Sequence, residues 1–286
     1  MDCYLVTTEH LEDKVLFLDD EDFKVAMNYV PAVALETDVK MLAFNLMSNH
    51  MHFVPMCERA DAESFINEFK RRYSYYFHNR YGVREVLRRV DVDIRLLPAG
   101  TESIERGIAY TQMNPVAARI CQHPSLYLWG TGDAFFNAKP HSGTRLDELS
   151  LRQRRRLLHS KSELPGNLIV GEGGFILPSS YVYVGYVEKL FRTSERYTYF
   201  LNSSSKARKQ LESTEALPAF RDHVISPAIV DLCNSLFRKQ SLKELSPEEI
   251  PELLRQLRRR FSMEISQLSR LTGFSYADVA RKLEEF

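Results

Sequence analysis

The chain has 286 residues, 44% of them apolar, enough to bury one sizeable core and to leave room for a second. Lys and Arg (38) balance Asp and Glu (38), which excludes binding by bulk positive charge and leaves any nucleic-acid contact to local patches. Cys3, Cys57, Cys121 and Cys233 stand singly without CxxC spacing, no apolar run is long enough to span a bilayer, and the N-terminal stretch has no signal-peptide core, so a soluble cytosolic protein is expected.

Cys3–Thr8 and Lys14–Leu18 read as strands, rich in β-branched and aromatic residues. Asp19-Asp20-Glu21-Asp22 offers an acidic helix start, and Pro31 is expected to bend or end that helix. Val39–Met47 suits a buried strand, and after Ser48-Asn49 a short strand from His50 to Val54 suits its antiparallel neighbour. Ala60–Tyr81 has helical spacing through Phe65, Ile66, Phe69, Tyr73, Tyr76 and Phe77, and stops at Gly82. Val90–Leu97 alternates as a strand does, and a helix opens at Thr101-Glu-Ser-Ile and runs through Tyr110 towards Pro115. This order predicts an α+β fold of ferredoxin-like type, an antiparallel sheet with helices, ending near Phe136. Residues 137–225 read as a basic linker and helical accessory region, and residues 226–286 as an all-helical unit.

The overall neutrality hides an uneven distribution of charge. Up to Ser64 only Lys14, Lys24, Lys40 and Arg59 face thirteen acidic residues. From Phe65 to Arg95 the balance reverses, with Lys70, Arg71, Arg72 and Arg80 among the basic residues. Further basic runs lie at Arg152, Arg154, Arg155, Arg156 and Lys161, and at Arg255, Arg258, Arg259 and Arg260. Each run alone is an ordinary solvated helix face; three together favour a polyanionic partner. Tyr75, beside the first run, suits stacking on a base.

His50 and His52 flank one apolar residue, and period-2 geometry places both imidazoles on one face of the strand. Such a pair is a plausible half-site for a divalent cation, although HxH also occurs in structural roles. Tyr110 and Asn114 share a helix face at i and i+4, so the amide oxygen is a candidate third ligand with the phenol close to it. Taken alone, the same two residues read more readily as a partly buried tyrosine and an asparagine helix cap.

Taken together, His50-Met51-His52 and Tyr110-Thr-Gln-Met-Asn114-Pro115-Val116 resemble the single-tyrosine transposases of the HUH endonuclease superfamily, in particular the REP-associated tyrosine transposases. Phe44–Val54 resembles that family's metal strand. Lys70-Arg-Arg-Tyr-Ser-Tyr-Tyr-Phe77 with Arg80-Tyr-Gly82 resembles its basic aromatic helix, and Pro124-Ser-Leu-Tyr-Leu-Trp129 its Pro-x-x-Tyr-x-Trp run. The family often has Met-Pro-Asn-His where this chain has Met47-Ser48-Asn49-His50, and its Trp-x-x-Arg-Phe-like segment has no counterpart beyond Arg88–Asp93. The resemblance implies a catalytic domain over residues 1–136, with Tyr110 as nucleophile and Mg²⁺ or Mn²⁺ held by His50, His52 and Asn114. It implies cleavage and rejoining of single-stranded or hairpin DNA through a 5′-phosphotyrosine, in a nucleoid-associated protein. A homodimer is a further partner to consider. The alternatives are a non-catalytic DNA-binding regulator on the same fold and a metallohydrolase with a structural Tyr110.

At the C-terminus, Ile265–Leu283 looks like a helix-turn-helix: Gly273 permits the turn, Ser275 caps the second helix, and Tyr276, Arg281 and Lys282 are its candidate DNA contacts. Together with the first two basic runs this gives Lys70, Arg71, Arg72, Tyr75, Arg80, Arg154, Arg155, Arg156, Tyr276, Arg281 and Lys282 as the expected DNA-binding residues. A helical bundle used for packing is the plainer reading of this unit. The aromatic segment from Phe175 to Phe200 reads as core, with no function assigned to it.

Overall fold

A computed structural model describes residues 1–8, 15–84, 87, 90–137, 142–204, 222–261, 263 and 265–284, without side chains at 222–224, 266 and 284. Four strands form one antiparallel sheet: β1 (Asp2–Thr8), β2 (Lys40–Met47), β3 (His50–Cys57) and β4 (Val92–Leu97), in the spatial order β2-β3-β1-β4. Helix α1 (Asp20–Glu36) connects β1 to β2 and α2 (Arg59–Tyr81) connects β3 to β4. Phe53 of β3 packs edge-on to Phe65 and Phe69 of α2, with ring centroids 5.2 and 5.4 Å apart. Alternation along β3 therefore turns His50 and His52 to the opposite face, where α3 (Ser103–Gln112) and α4 (Asn114–Ala117) lie.

The sequence KMLAFNLM of β2 is buried on both faces, which is why it lacks the polar alternation of a half-exposed strand. Pro55 sits in the central strand β3 where the β2–β3 register shifts between Met41 and Ala43, the kind of irregularity that accommodates a missing backbone donor. The outer edge of β2 is covered by later chain. Leu46 N donates to Trp129 O (2.9 Å), Thr131 N to Phe44 O (3.1 Å) and Tyr183 N to Met41 O (3.0 Å), while Tyr127 Oη donates to Leu46 O (2.7 Å).

Two expectations are corrected. Lys14 lies outside the described residues, and Val15–Leu18 are irregular rather than a strand. Leu16 and Phe17 are consecutive and both fully buried, a pattern that a strand with one core face cannot give. Their amides both point to Ser48 O, and the Tyr73 hydroxyl donates to Leu16 O. Helix α1 does not end at Pro31 but continues to Glu36. A proline inside a helix costs about 3 kcal/mol; the unbroken burial from Val25 to Ala34 offsets it.

Beyond residue 137, a short pair of strands, β5 (Thr144–Arg145) and β6 (Ile169–Val170), and helix α5 (Leu151–Leu158) enclose Leu146, Leu158, Leu168 and Ile176. Asn28 of α1 ties this unit to the sheet domain by donating to Leu157 O (3.1 Å) and accepting from Ile176 N (2.9 Å). Helices α6 (Val184–Phe191) and α7 (Ser194–Ser203) place Val187, Phe191, Tyr197 and Phe200 in the same core as the sheet. Tyr183 and Tyr186 remain exposed.

Helices α8 (Asp222–Phe237), α9 (Glu249–Phe261), α10 (Ile265–Thr272) and α11 (Tyr276–Glu284) enclose a separate apolar cluster around Leu253, Leu257, Leu268 and Val279. Among the described residues no helix is long and apolar enough to cross a membrane.

Candidate active site

The paired register sets Thr7 of β1 and Asn45 of β2 directly beside His52. Both imidazoles are buried, and their rings stand perpendicular with centroids 4.9 Å apart. His50 Nδ1 lies 2.8 Å from Asn49 Oδ1. An amide oxygen only accepts, so this contact puts the proton on Nδ1 and makes Nε2 the acceptor nitrogen of the ring. His52 Nδ1 lies 3.2 Å from Thr7 Oγ1. Such bonds to the far nitrogen are how metal-binding imidazoles are oriented.

Tyr110 comes from α3, and its ring is perpendicular to that of His52 with centroids 5.6 Å apart. Partial burial pushes its phenol above the ordinary tyrosine value, and the nearby charge of Arg95 opposes that rise. A cleft of about 680 Å³ opens beside it between β1, β4 and α3, with Thr7, Asp93, Arg95, Ser103 and Arg106 on its walls. Glycine at 107 lets α3 approach β4: a Cβ there would stand 2.6 Å from Leu97 Cδ1.

Asn114 begins the turn after α3. Its Nδ2 donates to Tyr110 O (2.9 Å) and Thr111 O (3.3 Å), leaving Oδ1 as the atom with ligand chemistry. Pro115 has no N–H for the carbonyl four residues earlier, that of Thr111. Asn114 fills that gap together with Asn45, whose Nδ2 donates to the same carbonyl at 3.2 Å. The structure thus gathers His50, His52 and Tyr110, while the described bonds of Asn114 run to the helix backbone. Among the described residues no group of three or more His, Cys, Asp and Glu side chains is placed to hold a metal. A donor set of two imidazoles and an amide oxygen is chemically suited to a divalent cation that keeps open positions.

The sequence pattern alone assigns no site role to Thr7, Asn45, Asn49 or Arg95. Only the alternation of β1 offered any signal, by placing Thr7 on one face with Leu5.

The predicted DNA contacts are dispersed. On α2, Lys70 is buried and donates to Val90 O (2.6 Å). Arg71 pairs with Glu68, and Arg72 pairs with Glu68 and Glu36. Arg80 pairs with Asp19 and the buried Asp22. Tyr75 is 68% exposed beside a groove of about 690 Å³ lined also by Arg71, His78 and Arg84, across the sheet from the histidines. On α5, Arg154 donates to Leu149 O and Asp147 O (2.9 Å each), while Arg155 and Arg156 are exposed. On α11, Tyr276 and Arg281 are exposed and Lys282 is half-buried.

Residues 5–89 match the sequence profile of the family described as transposase, IS200-like. The matched segment runs from β1 past the end of α2 and contains both histidines; Tyr110 and Asn114 lie beyond it. No curated protein matches the chain. A solved structure of a REP-associated tyrosine transposase bound to a REP hairpin aligns with 46% of this chain and 76% of its own length, at 13% identity and a TM-score of 0.34. Over residues 5–89, which include the His50–His52 pair, the chain is similar to the IS200-like transposases.

Proposed function

We propose that the chain is a metal-dependent single-strand DNA transposase in which Tyr110 is the nucleophile. The observation that carries this reading is the grouping of the Tyr110 ring with the His50–His52 pair on one sheet face, beside an open cleft. The β1-α1-β2-β3-α2-β4 order with antiparallel neighbours β2-β3-β1-β4 supports a ferredoxin-like catalytic domain within residues 1–136.

The Tyr110 oxygen gives up its proton to solvent and attacks a backbone phosphorus: the O–P bond to tyrosine forms, the bond to the 3′-oxygen breaks, and that oxygen takes a proton from solvent to leave as a 3′-hydroxyl. The 5′-phosphotyrosine conserves the bond for rejoining, so no nucleotide triphosphate is needed. An ordinary phenol with a pKa of about 10 is a weak nucleophile at neutral pH. Burial raises the Tyr110 phenol further and Arg95 only partly opposes that rise, so placement by α3 is the main contribution of this chain to its reactivity. His50 and His52, with Asn114 through Oδ1, would hold Mg²⁺ or Mn²⁺, which when bound neutralises charge on the phosphate.

The exposed Tyr75 with Arg71 suits single-strand or hairpin contact, and Arg155 and Arg156 offer a second basic surface. Helices α10 and α11 join at Gly273 (φ +78°), and Ser275 Oγ accepts from Asp278 N at 3.1 Å. That geometry supports a helix-turn-helix presenting Tyr276, Arg281 and Lys282 to DNA. Incubation with hairpin-bearing single-stranded DNA and Mn²⁺ is expected to give a protein–DNA adduct that Tyr110→Phe abolishes. Cleavage that survives Tyr110→Phe, or no cleavage at all, overturns the reading.

A further inference from the structure

Helix α3 has little to hold it in place by itself. It is ten residues long, starts at Glu102 in the left-handed region without a side-chain cap, and breaks at Met113 before Pro115. Helices shorter than about 12–15 residues are marginal alone, so packing decides where Tyr110 sits. The inner face, with Ile104 and Ile108, rests on the sheet. The outer face is held by α7. Arg196 Nη2 lies 3.3 Å from Glu102 Oε1 and 3.3 Å from Glu105 Oε1, and Glu105 is buried. The Phe200 ring lies under two guanidiniums, Arg196 at 5.0 Å and Arg106 at 5.7 Å from its centroid, joining both helices.

This outer support is anchored in turn. Phe191 packs on Tyr197 (5.0 Å), Tyr183 N bonds to Met41 O at the sheet edge, and Glu188 accepts from Phe136 N (2.8 Å). A continuous chain of contacts thus runs from β2 through α6 and α7 to the helix bearing Tyr110.

We propose that α6 and α7 act as a clamp on α3 and that Arg196, bridging Glu102 and Glu105, is a positioning residue for Tyr110. This rests on the reading of Tyr110 as nucleophile, and its test separates the two. In Arg196→Met, amide hydrogen exchange across 103–112 rises ~10-fold relative to β1 and β3, as loss of a local tether predicts. The single-turnover cleavage rate at saturating DNA falls ~10-fold or more, since a displacement of about 1 Å can cost that much, while the DNA dissociation constant stays within ~2-fold. Glu105→Gln gives the same split, the double variant loses no more than the worse single one, and Arg196→Lys recovers part of the rate. Should Arg196→Met fail to fold, Glu105→Gln and Arg196→Lys carry the measurement. Unchanged exchange in 103–112, or raised exchange with an unchanged rate, overturns the clamp. Raised exchange in a protein whose parent forms no tyrosine adduct leaves the clamp standing and removes the nucleophile.

Discussion

Asn45 links the histidine strands to the tyrosine helix through one buried bond to Thr111 O. Asn45→Leu removes the donor and leaves part of a buried carbonyl's demand to Asn114 alone. It is expected to lower stability by about 1–3 kcal/mol in a denaturant melt and to slow adduct formation. His52→Ala removes an imidazole that the fold orients through Thr7. It is expected to cut cleavage on the order of 10²-fold at saturating Mn²⁺ without moving the melting temperature by more than a few degrees. The common face of His50 and His52 was legible because alternation is a local property of a strand. Thr7, Asn45 and Arg95 were not, because cross-strand register, rather than spacing along the chain, brings them to the site.

Among the elements, α2 and α3 show how local chemistry sets position. Glu68 of α2 is held down at a pKa of about 2, first by its hydrogen bond from Arg71 and then, against burial, by Arg72. A carboxylate depressed in the folded state contributes stability that is present above its unfolded pKa of about 4.3 and is lost as pH falls towards 2. In Glu68→Gln that acid-side loss is expected to be smaller, seen as a flatter dependence of melting temperature on pH between about 4.3 and 2. Gly107→Ala sets a methyl against Leu97. It is expected to push α3 off β4 and lower the cleavage rate more than DNA affinity; equal losses would place the strain elsewhere. The α2 boundary at Gly82 was readable from sequence, whereas residues 15–18 were misread because their apolar character reflects two consecutive buried side chains.

Across the whole molecule, neutral net charge coexists with separated basic surfaces, so the single-strand binding that the proposed function requires would depend on which arginines are not engaged within the protein. Several are already engaged within the protein. Arg260 of α9 is buried, donating to Leu18 O (3.1 Å) and pairing with Asp20 (3.3 Å), and Arg259 lies 6.0 Å from the centroid of Trp129. The third basic run thus fastens the C-terminal helices to the start of α1. Arg260→Leu is expected to separate the melting of the C-terminal helices from that of the sheet domain, as two calorimetric transitions in place of one. No pattern in the sequence distinguished this arginine from its half-buried neighbours, since only the fold brings residue 18 to residue 260.

The plugging of the β2 edge by residues 129–131 and Tyr183 bears on self-association. Among the described residues β4 is paired only with β1, whereas the outer rim of β2 is closed to strand addition. Were two copies to extend this sheet, the seam would fall on β4, the strand whose Arg95, Leu96 and Leu97 wall the cleft beside Tyr110.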